Sequence, residues 1–259
     1  MHFGLLIFRG DLDILDEVLR HNHAFFDEIY VLDGSEDAVM SSAIVRKYEN
    51  VVFYTTDSKL PPEYRHPPRD GVLRRFLLSE IQARHSGEGW VTLLHSDEIF
   101  YDKDPRLVAE EADAKGFDGV VWKNIPFFLH TSQEGSYQYD QQKSVIEQVV
   151  WAALPGWPEV RQFKNKAGIA FSQNRHMCTA PDRINNFMRT EYPLRHYPYR
   201  DQIQMVRNAK DRISRGWQNY GGWMATSRSV FVDVLPKYSS SKKIEPGKII
   251  VNGATGEML

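Results

Sequence analysis

The feature that most limits the fold is an alternation of strand-like and helix-like segments over the first 124 residues. Short apolar runs typical of strands buried on both faces lie at 3–8, 29–32, 51–54, 90–94 and 118–122. Between them, residues 12–23 and 70–85 carry apolar side chains at helical spacing, and Asp104-Pro105 begins a further helix. The alternation predicts an α/β fold with a mostly parallel sheet and helices on both faces.

The second part of the chain has a less regular pattern. After about residue 124 aromatic residues, glycine, proline and glutamine mix without a clean period, and Gly168 to Ser172 is one candidate antiparallel strand. A helical pattern returns at 200–215. The 259 residues suit one large domain. We predict a single domain with a first half at 1–124, a second half at 125–238 and a polar, poorly ordered tail at 239–259.

Composition excludes several classes of protein. The formal net charge of −2 argues against a nucleic-acid-coating surface. No apolar run approaches the ~20 residues of a membrane-spanning helix. The single cysteine, Cys178, cannot form an internal disulfide, so we expect a cytoplasmic protein in a reducing compartment.

Two acidic clusters follow strand-like runs. Residues 33–37 come after the second run, and Asp97-Glu98 comes after the fourth. Ligands of open α/β sheets bind beyond the carboxyl ends of the strands. Carboxylates there suit a divalent cation or the hydroxyls of a ribose. The alternative interpretation is ordinary turn chemistry and helix capping.

The order of these segments resembles a known family. The turn Asp33-Gly-Ser-x-Asp37, the segment Trp90-Val-Thr-Leu-Leu-His-Ser-Asp-Glu98 and the late segment Arg195-His-Tyr-Pro-Tyr-Arg200 resemble the bacterial family 2-like glycosyltransferases of the GT-A fold. The resemblance spans roughly residues 1–215. It implies transfer of a sugar from a nucleotide-sugar donor to a glycan or other hydroxyl acceptor. The first half would then bind the nucleotide, and the second would supply the acceptor face and complete the metal site.

The resemblance also implies roles for particular residues. Phe8 and Arg9 would border the nucleotide base, Asp33 would accept hydrogen bonds from the base or ribose, and Ser35 would help hold that turn. Donor contacts are further implied for Arg69, Arg74, His95 and Arg200, with Arg75 and Arg195 as additional candidates for the diphosphate.

A metal site is implied by the same comparison. Asp97 matches the last acid of the family's Asp-x-Asp motif, His196 matches a late histidine, and Glu98 is a further candidate ligand. The implied cofactor is Mn²⁺ or Mg²⁺. One departure stands out, because His95 occupies the first acid of the motif. A neutral imidazole binds a transition metal or a ribose hydroxyl, so metal preference and metal dependence stay open.

The catalytic base is not determined by the sequence. An inverting transfer needs a carboxylate near the acceptor hydroxyl, whereas a retaining one does not. The candidate bases are Glu134, Asp140, Glu147, Glu191 and Asp201. One or two aromatic residues are expected to face the acceptor sugar, from the set Trp122, Phe127, Phe128, Tyr137, Tyr139, Trp151, Trp157 and Trp217.

Two alternative functions remain at this point. A nucleotidyltransferase also needs strand-end acids and a cation, but usually has a glycine-rich, basic turn after the first strand, and here that turn is Arg9-Gly10-Asp11-Leu12. A non-catalytic nucleotide- or glycan-binding module on the same fold is favoured by His95. We expect a nucleotide-sugar donor and a glycan or small-molecule acceptor, with no nucleic acid and no membrane span.

Overall fold

The computed structural model describes residues 1–34, 38–55, 70–172, 180–214, 231–233, 238–248 and 250, with the side chains of 70, 209 and 211–214 excepted. The strands are β1 His2–Phe8, β2 Glu28–Asp33, β3 Val51–Thr55, β4 Trp90–His95, β5 Glu98–Ile99, β6 Gly119–Phe128, β7 Trp151–Leu154, β8 Trp157–Lys164, β9 Phe187–His196 and β10 Ser240–Lys243. The helices are α1 Leu12–Asn22, α2 Val39–Val45, α3 Asp70–His85, α4 Pro105–Ala114, α5 Val145–Gln148 and α6 Gln202–Ser214.

The centre of the sheet is parallel. Strands β3, β2, β1 and β4 lie side by side in that order, and β1 pairs in parallel with both β2 and β4. Strand β8 continues the sheet antiparallel to β4, followed by β6, β7 and β10. Strand β9 pairs in parallel with β6 and antiparallel with the short β5. All carboxyl ends of the parallel core therefore point to one edge, where β5 and the end of β9 also lie.

Helices cover both faces of this sheet. On one face, Leu15 and Val18 of α1 pack in the same buried cluster as Val108 of α4. On the other face, Leu77 and Ile81 of α3 pack in a separate buried cluster. The predicted α/β class, with a mostly parallel central sheet and helices on both faces, is confirmed. Within the described ranges, none of the helices combines the length and the apolarity needed to cross a membrane.

Two local predictions are corrected, and one helix was missed. Gly168 to Ser172 is not a strand, and Gly168 has a φ of +74°, which an extended strand does not accept. Helix α2 was not predicted, because it has only seven residues and buries only Ser41 and Val45. The predicted disorder of the tail is wrong for its first part. Strand β10 pairs with β7, and Ile244 is buried in the core.

A tight turn joins α3 to β4 and leaves no room for a side chain at Gly89. Gly89 has a φ of +80°, and a Cβ built there would lie 2.4 Å from the backbone oxygen of Met1. Gly116 also has a positive φ, +76°, but no atom lies within 4 Å of its Cβ position. We expect Gly116→Ala to lower the free energy of unfolding by about 1–2 kcal/mol, the cost of the left-handed conformation alone. Gly89→Ala should cost clearly more, as measured by denaturant unfolding, and equal losses would contradict the clash.

Candidate functional site

The ends of the central strands bring the predicted nucleotide-binding residues to one edge. Phe8 is the last residue of β1 and is buried, while the following Arg9 is exposed. The turn after β2 is tied to β1, because the Gly34 N–H donates to the Phe8 carbonyl over 2.9 Å. Asp33 ends β2 with no exposed surface, and the Ser41 hydroxyl of α2 donates to its carboxylate. Ser35 and Arg69 lie outside the described residues.

Three charged side chains contact the imidazole ring of His95 at the end of β4. Its Nε2 lies 2.9 Å from Nη2 of Arg74 and 3.1 Å from Nη1 of Arg161. Its Nδ1 lies 3.0 Å from Oε1 of Glu98. A guanidinium only donates hydrogen bonds, so Nε2 accepts and the ring proton sits on Nδ1. Both ring nitrogens thus have partners within the protein, and Nδ1 contacts the Glu98 carboxylate.

Glu98 is fully buried, and among the described residues only one of its two carboxylate oxygens has hydrogen-bond partners. Its Oε1 accepts from His95, from Arg161 and from the Asn124 amide at 3.1 Å. Its Oε2 has no hydrogen-bond partner among the described residues. A buried carboxylate oxygen without a partner is costly. The orphaned oxygen is therefore an available ligand for a cation.

Asp97 and His196 meet across the strand pair β5–β9. His196 Nε2 lies 3.2 Å from Asp97 Oδ2, and Tyr197 N–H donates to the Asp97 carbonyl over 2.8 Å. The two side chains keep 15% and 18% of their surface, unlike the fully buried Glu98 beside them. This pair is the open part of the site.

Each member of the pair stabilises the charge of the other. Burial by itself raises the pKa of the Asp97 carboxyl, but the His196 and Arg200 charges outweigh burial and hold it well below its usual range. Burial by itself lowers the pKa of His196, but the Asp97 carboxylate outweighs it and raises that pKa. The Asp97 carboxylate and the His196 imidazole therefore favour each other's charged forms.

Carboxylate and imidazole ligand atoms lie close enough together at this edge to hold a divalent cation. Ligand atoms of Asp97 and Glu98, together with a His95 nitrogen, lie within 4.8 Å of one another. Mn²⁺ and Mg²⁺ take carboxylate oxygens, and Mn²⁺ also accepts imidazole. His196, whose Nε2 lies 3.2 Å from Asp97 Oδ2, is a further candidate nitrogen ligand beside this group.

Two predicted phosphate-binding arginines have carboxylate partners instead. Arg200 is fully buried, and its Nε donates to Asp13 over 2.9 Å, while Nη2 donates to Asp13 and Asp11 at 3.0 Å each. Its Nη1 donates to the Tyr197 carbonyl next to His196. Arg195 makes a two-point contact with Asp102 at 2.8 and 2.9 Å. Both guanidinium groups are therefore bound inside the protein and support the His196 segment.

Neither exposure nor the contacts described here distinguish one of the five candidate bases from the others. Glu134, Glu147 and Glu191 are exposed. Asp140 lies 3.6 Å from the Lys143 ammonium, and Asp201 accepts from the Gln204 N–H at the start of α6. The contacts described for these acids involve neither Asp97 nor His196. The identity of a base stays a prediction.

Strand β8 contributes Glu159 and Arg161, which sequence reasoning missed, and Trp157, which was one of the aromatic candidates for the acceptor. Trp157, Glu159 and Arg161 alternate along β8 and so share one face of the strand. The Trp157 indole N–H donates to Glu159 Oε1 over 2.6 Å, and Asn124 donates to Oε2 over 2.9 Å. Arg161 also donates to Glu159. Alternation of an aromatic, an acidic and a basic residue was the sequence signal that could have found this face.

The ion pair between Glu159 and Arg161 predicts that the folded protein loses stability at low pH. Burial by itself raises the pKa of this carboxyl, but Arg161 and the Trp157 hydrogen bond outweigh burial and lower the pKa from 4.5 to about 2. A depressed pKa in the folded state contributes stability that is present above pH 4.5 and lost as the pH falls toward 2. We expect a loss on the order of 3 kcal/mol across that window. Glu159→Gln should flatten the pH dependence of unfolding there, and an unchanged slope would contradict this assignment.

Comparison with known proteins finds similar solved structures, of which two are described here. No protein-family model and no curated protein matches the sequence. The chain is similar to mannosyl-3-phosphoglycerate synthase from Rubrobacter xylanophilus, with 17% identity over 56% of this chain and 45% of that chain, and a TM-score of 0.36. It thus spans less than half the length of that synthase. It is also similar to a putative nucleotide-diphospho-sugar transferase from Desulfovibrio desulfuricans, with 10% identity over 84% and 90% of the two chains, and a TM-score of 0.39.

Proposed function

We propose that this protein transfers a glycosyl group from a nucleoside-diphosphate sugar to a hydroxyl acceptor, with Mn²⁺ or Mg²⁺ held by Asp97, Glu98 and His196. The observation that carries the proposal is the 3.2 Å contact between Asp97 and His196. Two residues far apart in sequence meet, partly exposed, where ligands of open α/β sheets bind. The orphaned buried oxygen of Glu98 beside them supports the same site.

The chain's own residues have distinct roles in this proposal. A bound divalent cation would stabilise the negative charge that develops on the leaving diphosphate. Asp97, His196 and Glu98 would hold that cation, with Asp97 and His196 partly exposed and Glu98 buried. His95, fixed by Arg74 and Arg161, orients the Glu98 carboxylate. Such supporting contacts commonly matter almost as much as the ligands.

The nucleotide is proposed to lie along the ends of β1 and β2. Phe8 and Arg9 would border the base, and Asp33, oriented by Ser41, would accept hydrogen bonds from the ribose or base. Ser35 and Arg69 keep their proposed donor contacts as sequence predictions. Arg200 is proposed to support the His196 segment, since its donors are bound to Asp11, Asp13 and the Tyr197 carbonyl.

Calorimetric titration tests the donor site. UDP, GDP, CMP and dTDP would each be titrated into the protein with and without Mn²⁺. We expect one nucleotide to bind in a Mn²⁺-dependent manner, with the signal lost in Asp97→Ala. Asp113→Ala is the matched control. It removes an exposed carboxylate of α4 that pairs with Lys164 of β8. Absence of binding by all four nucleotides to the folded protein would contradict the proposal.

A further inference from the structure

A partly exposed tryptophan lies beside the proposed cation ligands. Trp157 begins β8, and its ring centroid is 6.0 Å from that of His196 in an edge-on arrangement, with an interplanar angle of 72°. The indole N–H bond to Glu159 fixes the rotation of the ring. The indole is thus held in one orientation at the margin of the open pair Asp97–His196.

Tyr238 extends this aromatic surface. Its ring centroid is 5.8 Å from that of Trp157, with the two ring planes tilted by 42°, and it is also partly exposed. The backbone next to it is held by β7, since the Ser239 N–H donates to the Leu154 carbonyl over 3.1 Å and β10 pairs with β7. Burial and the Glu159 carboxylate raise the pKa of the Tyr238 phenol, so it stays a neutral donor.

The carboxylate beneath these rings has remaining hydrogen-bonding capacity. Glu159 Oε1 accepts from the Trp157 indole, and one further lone pair of that oxygen can accept another donor. The Glu159 side chain keeps 14% of its surface. An aromatic face next to a carboxylate and a phenol matches a sugar ring, which has apolar C–H faces and hydroxyls around its edge.

We propose that Trp157 and Tyr238 form a platform for a pyranose ring of the acceptor. The sugar ring stacks on the Trp157 indole, the tilted Tyr238 ring borders it, and Glu159 accepts a hydrogen bond from one of its hydroxyls. This inference rests on the proposed function and narrows its acceptor to a pyranoside. The platform holds the acceptor next to the cation ligands. Trp151 is a different case, because it stacks on His130 with centroids 3.8 Å apart.

Saturation-transfer NMR on the full chain with Mg²⁺ tests the platform. The probes are the methyl pyranosides of glucose, galactose, mannose and N-acetylglucosamine. At least one should receive saturation at its ring C–H protons. Trp157→Ala should weaken its binding about tenfold, whereas Trp157→Phe, which keeps an aromatic face, should lose less. Trp151→Ala is the matched control and should bind like the unmodified protein.

Several results would overturn the platform. They are no saturation of any pyranoside, equal binding by Trp157→Ala, or the same loss in Trp151→Ala. If Trp157→Ala does not fold, Tyr238→Ala replaces it, with the same expected loss. Nucleotide titration of the same samples separates the two proposals. Mn²⁺-dependent nucleotide binding without pyranoside binding rejects the platform alone, and pyranoside binding without nucleotide binding rejects the donor site alone.

Discussion

Asp97→Asn is expected to weaken Mn²⁺-dependent nucleotide binding by about 100-fold or more. Loss of a residue that merely supports a metal ligand already costs about 10–100-fold in metal affinity. Asp97 is proposed as a ligand itself, on the open side of the site next to His196. The amide has the same shape as the carboxylate, so the fold should persist. Manganese electron paramagnetic resonance, with and without nucleotide, measures the change.

The control for this variant is Asp113→Asn. Asp113 is 57% exposed and pairs with Lys164 at 2.7 Å on the surface of the protein. Its substitution should leave Mn²⁺ and nucleotide affinity unchanged. Nucleotide and Mn²⁺ binding by Asp97→Asn within about threefold of the unmodified protein would contradict the assignment of Asp97 as a ligand, since a threefold change is well under 1 kcal/mol.

Arg200→Met is expected to lower the free energy of unfolding by about 3–5 kcal/mol. Arg200 is fully buried and binds Asp11 and Asp13. Burial lowers the pKa of its guanidinium, but these carboxylates outweigh burial and raise the pKa above its ordinary value. Removing one partner of a buried ion pair is costly because the remaining charges lose their compensation. Chemical denaturation measures the loss.

Arg207→Met is the control for this variant, because it removes an arginine that also approaches Asp13 but is exposed. Arg207 also approaches Asp13, at 3.8 Å, but 54% of its side chain is exposed. Exposed pairs contribute roughly 0–1 kcal/mol, so this variant should lose less than about 1 kcal/mol. Adding Asp13→Asn to Arg200→Met should recover part of the stability. A loss of under 1 kcal/mol for Arg200→Met would contradict the role assigned to this arginine.

The secondary structure of the first half could be predicted from the sequence because its strands are continuous apolar runs. Strands β1, β2 and β4 are buried on both faces, and α1 and α3 carry clear apolar stripes. Strand β8 has a different pattern, because one of its faces lines the site. Glu159 and Arg161 interrupt its apolar residues. A strand that supplies charged groups to a buried cluster loses the periodicity by which strands are recognised.

Only part of the site could be predicted from the sequence, because many of its contacts join residues that are far apart in the chain. Asp97 and His196 were found through their resemblance to a family motif, although 99 positions separate them. No local pattern indicates that Arg161 reaches His95 across 66 positions, or that Asp102 holds Arg195 across 93. The family resemblance implied that Arg200 contacts the diphosphate, because a guanidinium group binds two phosphate oxygens at once. Its carboxylate partners lie 187 and 189 positions away, where only the fold brings them close.

The most direct test of the central claim is turnover. The protein would be incubated with Mn²⁺, a panel of nucleoside-diphosphate sugars and the four methyl pyranosides, and the products separated by liquid chromatography and mass spectrometry. We predict that one donor is consumed, with release of its nucleoside diphosphate and formation of a pyranoside heavier by one sugar residue, and that Asp97→Asn forms neither product. If folded protein that binds Mn²⁺ and nucleotide consumes none of the donors, the transferase account is contradicted and a non-catalytic binding module takes its place.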